Sequence, residues 1–167
     1  GNLLCEAVDS VLQQSYRNFE LLIVDDASGD GTEHRLAAHT SDRRVRFLAH
    51  ITNQGAVAAR RTGLEASRGE IVAFLDQDDL FHPDKIAAHV RFLQGRPEVG
   101  VSYNGRIHIE SPANHIRDIS IPPESLGLAE LLLGFPFAPS DTVIRRNWAF
   151  REEIWDTTYV SRVGNDV

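Results

Sequence analysis

Three carboxylates stand at the end of one apolar run: Ile71-Val72-Ala73-Phe74-Leu75 leads directly into Asp76-Gln77-Asp78-Asp79. Clustered carboxylates repel one another unless a cation joins them. A donor set made only of oxygen suits a hard divalent ion, Mn2+ or Mg2+, better than zinc. The chemistry indicated is a metal and nucleotide site. The competing reading is a solvated acidic turn before a helix, with Asp79 or His82 near its cap and Pro83 at the first helical position.

A second acidic turn weakens that competitor. Residues 19–24 form another apolar run, followed by Asp25, Asp26 and Ala27-Ser28-Gly29-Asp30-Gly31-Thr32. From Asp26 to Gly31 this segment has the alternating oxygens and the sixth-position glycine of a calcium loop. Its twelfth position, however, is Ala37 where a bidentate glutamate is needed, and a strand rather than a helix precedes it. A strand-to-helix turn capped by Asp30 or Thr32 is the reading that survives.

Both acidic turns need a scaffold that brings strand ends together. The chain opens on helical periodicity, with Leu4, Val8 and Val11 on one face. Strands are expected over 19–24, 45–51 and 71–75, with helices over about 31–39, 54–67 and 83–93 between and after them. Such alternation indicates a parallel sheet covered by helices, and in open α/β sheets ligands bind at the carboxyl ends of the strands. Beyond residue 98 the pattern changes. Residues 99–103 and 106–110 read as strands joined by Asn104-Gly105, a hairpin signal. Residues 111–124 read as a long loop near the site, 125–133 as a short helix, 141–145 as a strand and 147–154 as a weak helix.

Composition narrows the function. At 167 residues, with 42% apolar and 25% charged residues, the chain suits one globular domain. A net charge of −7 without a block of Lys and Arg argues against nucleic acid as a partner. The single cysteine, Cys5, cannot form an internal disulfide, which is compatible with a reducing compartment. No apolar stretch reaches the ~20 residues of a membrane span. The seven histidines lack a metal-ligand spacing, and His34, His39, His50, His89, His108 and His115 read by default as surface or satisfied structural residues.

Taken in order, four blocks resemble the family two glycosyltransferases: residues 7–16 (Ala7-Val8-Asp9-Ser10-Val11-Leu12-Gln13-Gln14-Ser15-Tyr16), residues 19–32, Asn53-Gln54-Gly55 through Ala59-Arg60, and residues 69–79. The match is strong over the first half of the chain and weaker over the second. The resemblance implies the A-type glycosyltransferase fold, α/β with a mostly parallel central sheet flanked by helices and truncated at both ends. It implies one catalytic domain over 1–167, with 1–103 as the nucleotide-binding part and 104–167 as the acceptor side. Asp26 would face the nucleobase, Asp76 the ribose and Arg60 the nucleotide or its diphosphate, while Asp78 would bind the metal. Asp166, in the Asn165-Asp166 pair that follows Trp155-Asp156, would be the catalytic base. The family often has asparagine where Arg61 stands, and a glutamate where Asn165 stands.

The implied reaction is inverting transfer of a sugar from a nucleoside-diphosphate sugar, UDP-type, to a hydroxyl acceptor such as a sugar or a lipid-linked saccharide. The implied location is cytoplasmic, peripheral to the inner face of a membrane in a longer protein. Two other readings remain open at this stage, a sugar-phosphate nucleotidyltransferase and a non-catalytic nucleotide-sugar-binding module. The first usually needs a basic glycine-rich phosphate loop near the start of its domain, and none is visible.

Overall fold

The computed structural model describes residues 3–110, 115–122, 124 and 138–150. Helix α1 (Leu3–Leu12) buries Ala7, Val8 and Val11, the stripe that its periodicity prescribes. Strand β1 (Leu21–Asp25) pairs in parallel with β2 (Val45–Ala49), from Leu21 opposite Val45 to Asp25 opposite Ala49. The link between them holds α2 (Thr32–Arg35) and a 3₁₀ turn (His39–Ser41). Parallel strands need a crossover of this size to return the chain to its starting edge. The helix expected over 31–39 is therefore shorter than its apolar pattern, ending where Leu36 leaves helical geometry at ψ 2.

Helix α3 (Ala56–Ala66) lies against β1, with the Gly63 backbone approaching Val24 so closely that a Cβ there would sit 3.4 Å from its Cγ2. Next come β3 (Ile71–Ala73), α4 (Lys85–Gln94), β4 (Val101–Tyr103), β5 (Arg106–Glu110), β6 (His115–Ser120), β7 (Thr142–Arg145) and α5 (Arg146–Ala149). β7 lies between β3 and β4 and is antiparallel to both. The molecule is thus α/β as expected, but among the described residues the strands form three separate sheets, the parallel pair β1–β2, the antiparallel β3–β7–β4 and the antiparallel pair β5–β6, so the parallel pairing expected of the central sheet is seen at β1–β2.

The core is built from side chains that several elements contribute: Leu36, Leu64 and Leu93 are fully buried, beside Val45, Phe81, Val143 and Ala149. Each large aliphatic group removed from water contributes about 1.5–3 kcal/mol. Gln14, equally buried, binds α1 to the segment after the acidic turn. Its Nε2 donates to the carbonyls of Ser10 (3.0 Å) and His82 (2.7 Å), and its Oε1 accepts from the Ile86 amide at 3.0 Å.

Two sequence expectations fail in the second half. Asn104-Gly105 does not close a hairpin: β4 pairs with β7, while β5 pairs with β6. Asn104 is drawn inward instead, its amide donating to the Asp141 carbonyl and its side-chain oxygen accepting from Lys85 and His89. Gly105 allows a close approach, since a Cβ there would lie 2.6 Å from the Ser120 carbonyl. The second failure is the loop expected over 111–124, which contains β6. Ile107 opposite Ile119 and Ile109 opposite Ile116 supply the cross-strand pairs that hold it. The elements expected over 125–133 and beyond Phe150 fall outside the described residues.

Candidate functional site

Helix α3 joins the two acidic turns. Its N-terminus reaches Asp26 at the end of β1, and Arg60, further along, reaches Asp76 after β3. Gly55 enters the helix with φ 89, a backbone conformation that glycine adopts without strain. That geometry aims the amides of Gln54 and Gly55 at the Asp26 carboxylate: Gln54 N lies 2.9 Å from Oδ1 and 3.1 Å from Oδ2, and Gly55 N lies 2.7 Å from Oδ2. The Asn53 side chain donates to the Asp26 carbonyl at 3.1 Å. A carboxylate placed at a helix N-terminus is favoured by the orphan amides and by the helix dipole.

A third donor to Asp26 comes from His50, whose Nδ1 lies 2.6 Å from Oδ1. The Asp26 carboxyl is held below its ordinary value, chiefly by the Gln54 amide and then by His50. It is ionised at neutral pH and acts only as an acceptor.

At the second turn, Asp79 N donates to the Asp76 carbonyl at 3.1 Å and closes Asp76-Gln77-Asp78-Asp79 into a tight turn. Asp78 is exposed at its tip, while Asp76 and Asp79 are half-buried. Arg60 Nη2 contacts Asp76 Oδ1 at 2.7 Å, with both side chains about one third exposed. The Asp76 amide donates to Ser140 Oγ at 2.9 Å, which ties the turn to the segment before β7. Helix α4 starts at Lys85 with Asp84 as its N-cap, so Pro83 precedes the helix instead of taking its first position, while His82 lies near the cap as the acidic-turn reading supposed, its Nδ1 accepting from the Asp84 amide at 3.3 Å.

The calcium-loop resemblance is consumed by local bonding. Asp30 Oδ1 accepts from Ser28 Oγ (2.9 Å), Thr32 N (3.0 Å) and Thr32 Oγ1 (2.6 Å), and Oδ2 pairs with Arg35 at 2.6 Å. These partners hold the Asp30 carboxyl far below the usual range, with Thr32 as the largest cause. The N-cap of α2 is Gly31, so neither Asp30 nor Thr32 takes the cap position that the sequence suggested; Asp30 stands one residue ahead of it and accepts from the Thr32 amide.

For the metal, the test is the donor set. Among the described residues no three His, Cys, Asp or Glu side chains are grouped to hold an ion by themselves. An exposed Asp78 beside two further carboxylates fits an ion that takes one or two protein oxygens and completes its shell with substrate phosphates and water, the ordinary habit of Mg2+. Asp78 is the residue of this turn that would hold such an ion, delivered with the substrate.

The structure places Asp26 at the entry to α3 and Asp76 on Arg60 of the same helix, with Asp78 at the exposed tip of the Asp76 turn. Asp166 and the pair Trp155-Asp156 lie outside the described residues. Sequence reasoning missed His50, Thr62, Lys85 and Ser140. His50 was legible in principle, because it follows β2 at the same strand edge that carries the acids. Lys85 gave no signal. It lies beneath the acidic turn and donates at 2.5 Å both to Asn104 Oδ1 and to the Ser140 carbonyl, its ammonium 4.5 Å from the centre of the Phe81 ring. Burial pushes its pKa down to about 8 against the pull of Asp141 and Asp79.

Comparison with known proteins follows the same lines. The chain is 42% identical over 93 residues to an uncharacterized glycosyltransferase of Rickettsia felis, covering 56% of this chain and 15% of the relative. It is 37% identical over 87 residues to the UDP-Glc:alpha-D-GlcNAc-diphosphoundecaprenol beta-1,3-glucosyltransferase WfgD of Escherichia coli, covering 52% and 34%. Among solved structures it is similar to the mannosyltransferase PcManGT of Pyrobaculum calidifontis in complex with GDP-Man and Mn2+, with a TM-score of 0.56, 31% identity, and coverage of 61% and 31%. The chain thus spans about a third or less of each of these proteins, and its fold is the A-type glycosyltransferase fold. The profile of glycosyl transferase family 2 matches residues 1–154, nearly the whole chain, and with the two acidic turns gathered on one helix it shows that the chain belongs to that family.

Proposed function

We propose that this chain is the catalytic domain of an inverting, metal-assisted glycosyltransferase. It moves a sugar from a nucleoside-diphosphate sugar, UDP-type, to a hydroxyl acceptor that is a sugar or a lipid-linked saccharide. The observation that carries the proposal is the bridging of the two acidic turns by α3, with Asp26 at its N-terminus and Arg60 paired to Asp76.

Each residue then has a chemical task. Asp26, an ionised acceptor with three donors already in place, has acceptor capacity left for the imide N–H of uracil. Asp76 faces the ribose. Arg60 has five N–H donors, of which the contact with Asp76 engages one, so others remain for the diphosphate. Asp78 holds Mn2+ or Mg2+, which when bound neutralises charge on the departing nucleoside diphosphate. Asp166 takes the proton of the acceptor hydroxyl as it attacks the anomeric carbon. Residues 1–103 serve the nucleotide and 104–167 the acceptor.

Two relatives support the donor class by name, one through UDP-Glc and one through GDP-Man with Mn2+. No helix among the described residues is long and apolar enough to cross a membrane.

The test is transfer by the full-length protein across UDP-, GDP- and dTDP-sugars with Mn2+ or Mg2+. Asp166→Asn keeps the shape of the side chain but has essentially no basicity. It should spare donor binding and lower the transfer rate by ~10² to 10⁴-fold. Full transfer by that variant at saturating donor would reject Asp166 as the base, and absence of transfer or donor hydrolysis with every donor would reject the enzyme in favour of a binding module.

A further inference from the structure

The two polar contacts of His50 define a clamp that the reaction scheme does not use. The His50 backbone donates to the Asp25 carbonyl at 2.8 Å, continuing the β1–β2 pairing by one residue and fixing where the ring starts. Its Nδ1 meets Asp26 Oδ1 at 2.6 Å and its Nε2 meets Thr62 Oγ1, on α3, at 2.9 Å. The side chains of His50 and Asp26 are only 10% and 16% exposed, so neither ring nor carboxylate has room to turn.

The chemistry of these contacts is one-directional. An ionised carboxylate accepts only, so this contact requires the proton on Nδ1, in the neutral Nδ1–H tautomer or in the imidazolium, and the threonine hydroxyl donates to a bare Nε2 or accepts from a protonated one. His50 and the Gln54 and Gly55 amides therefore all point protons at Asp26. The two amides cannot accept a proton, and with Asp26 ionised the ring keeps its proton on Nδ1 and donates it. A group surrounded in this way presents an acceptor, never a donor, to whatever ligand arrives.

We propose that His50, seated by Thr62, is a positioning residue that fixes Asp26 as an acceptor-only carboxylate and thereby restricts the nucleotide to bases with a ring N–H on their pairing edge. Uracil, thymine and guanine carry a ring N–H on their pairing edge. Cytosine and adenine carry a bare ring nitrogen there, which would face the carboxylate lone pairs without a shared proton. The inference rests on the reading that Asp26 faces the base.

Calorimetry of UDP and CDP with Mn2+ on the 167-residue chain tests it, with a thermal melt of every variant. The wild type should bind UDP at least about 10-fold more tightly than CDP, the difference expected when a buried charged acceptor is left unpaired. His50→Ala should lose about 10-fold in UDP affinity and narrow the UDP/CDP ratio. His50→Asn places an amide N–H where Nδ1 stands and should recover most of both. Thr62→Val removes the second partner of the ring and should shift the ratio by about 3-fold, and it decides the matter if His50→Ala does not fold. Unchanged UDP/CDP ratios in the His50→Ala and Thr62→Val variants, with only the melt lowered, would overturn the clamp and leave His50 as packing. Asp26→Ala separates the two levels. If it binds UDP as the wild type does, the placement of the base at Asp26 is itself wrong; if it weakens UDP while the His50 and Thr62 variants do not, only the clamp falls.

Discussion

Asp26 shows how a single residue combines structure and chemistry. Its carboxylate holds the Gln54 and Gly55 amides that lead into α3, its carbonyl holds the Asn53 side chain, and the carboxylate still has acceptor capacity to offer a ligand. The neighbouring Ala27 bears the strain of this turn, at φ 58, where an L-residue with a Cβ is disfavoured by about 1–2 kcal/mol. Ala27→Gly removes that clash and admits more freedom in the unfolded chain, so the net gain should be about 1 kcal/mol, read as a higher midpoint in urea. A lower midpoint would mean that the alanine methyl group makes a favourable contact that outweighs the strain. The acids themselves were legible in the sequence because apolar runs that end in Asp are conspicuous. The place of His50 at the same strand edge was legible too, but its partners were not, because its ring reaches between β1 and α3 and spacing along the chain does not reveal that.

At the scale of elements, α1 and the segment 80–86 are joined by Ser10, whose Oγ accepts from the Phe81 amide at 3.1 Å, and above all by Gln14. Gln14 is fully buried, and each of its polar atoms is used to bind backbone, with its oxygen on the Ile86 amide at the start of α4. Gln14→Ala would strand the Ile86 amide and the His82 carbonyl without water, which should cost about 2–4 kcal/mol in unfolding free energy by denaturant titration. A loss below about 0.5 kcal/mol would show that water reaches these groups. The first half was readable because its elements obey local rules: period 3.6 in α1, β-branched runs in β1 and β3. Asn104-Gly105 was misread for a physical reason. Asn104 is held by Lys85 and His89, and that buried network outweighs the local turn preference. β7 arrives from late in the chain to separate β3 from β4, and no nearby residue announces such a pairing.

Across the whole molecule, a buried polar network runs from the amide of Asp76 through Ser140 and Lys85 to Asn104, His89 and Ser102. Burial pushes the His89 pKa down, helped by the charge of Lys85 and opposed by the hydrogen bond to Asn104. The sign follows directly. Below pH 6.5 the unfolded chain takes up a proton that the folded ring resists, so the unfolded state binds more protons and stability falls as pH is lowered, until the folded ring titrates as well. His89→Gln should flatten the dependence of unfolding free energy on pH between about 6.5 and 5, a window above the titration of the depressed carboxyls of Asp26 and Asp30. Identical slopes in variant and wild type would show that His89 is free to protonate in place. Lys85 works in the same sense at higher pH, where its contribution to stability grows between about 8 and 10.5.

The central claim is that the two acidic turns form one site for a nucleoside diphosphate and its divalent ion, and calorimetry of UDP on this chain with and without Mn2+ tests it most directly. UDP should bind more tightly with Mn2+ present, and Asp78→Ala, at an exposed position where substitution spares the fold, should abolish that increment while leaving the metal-free affinity in place. An Mn2+ increment that survives Asp78→Ala, or UDP binding that is indifferent to Mn2+ in the wild type, would contradict it.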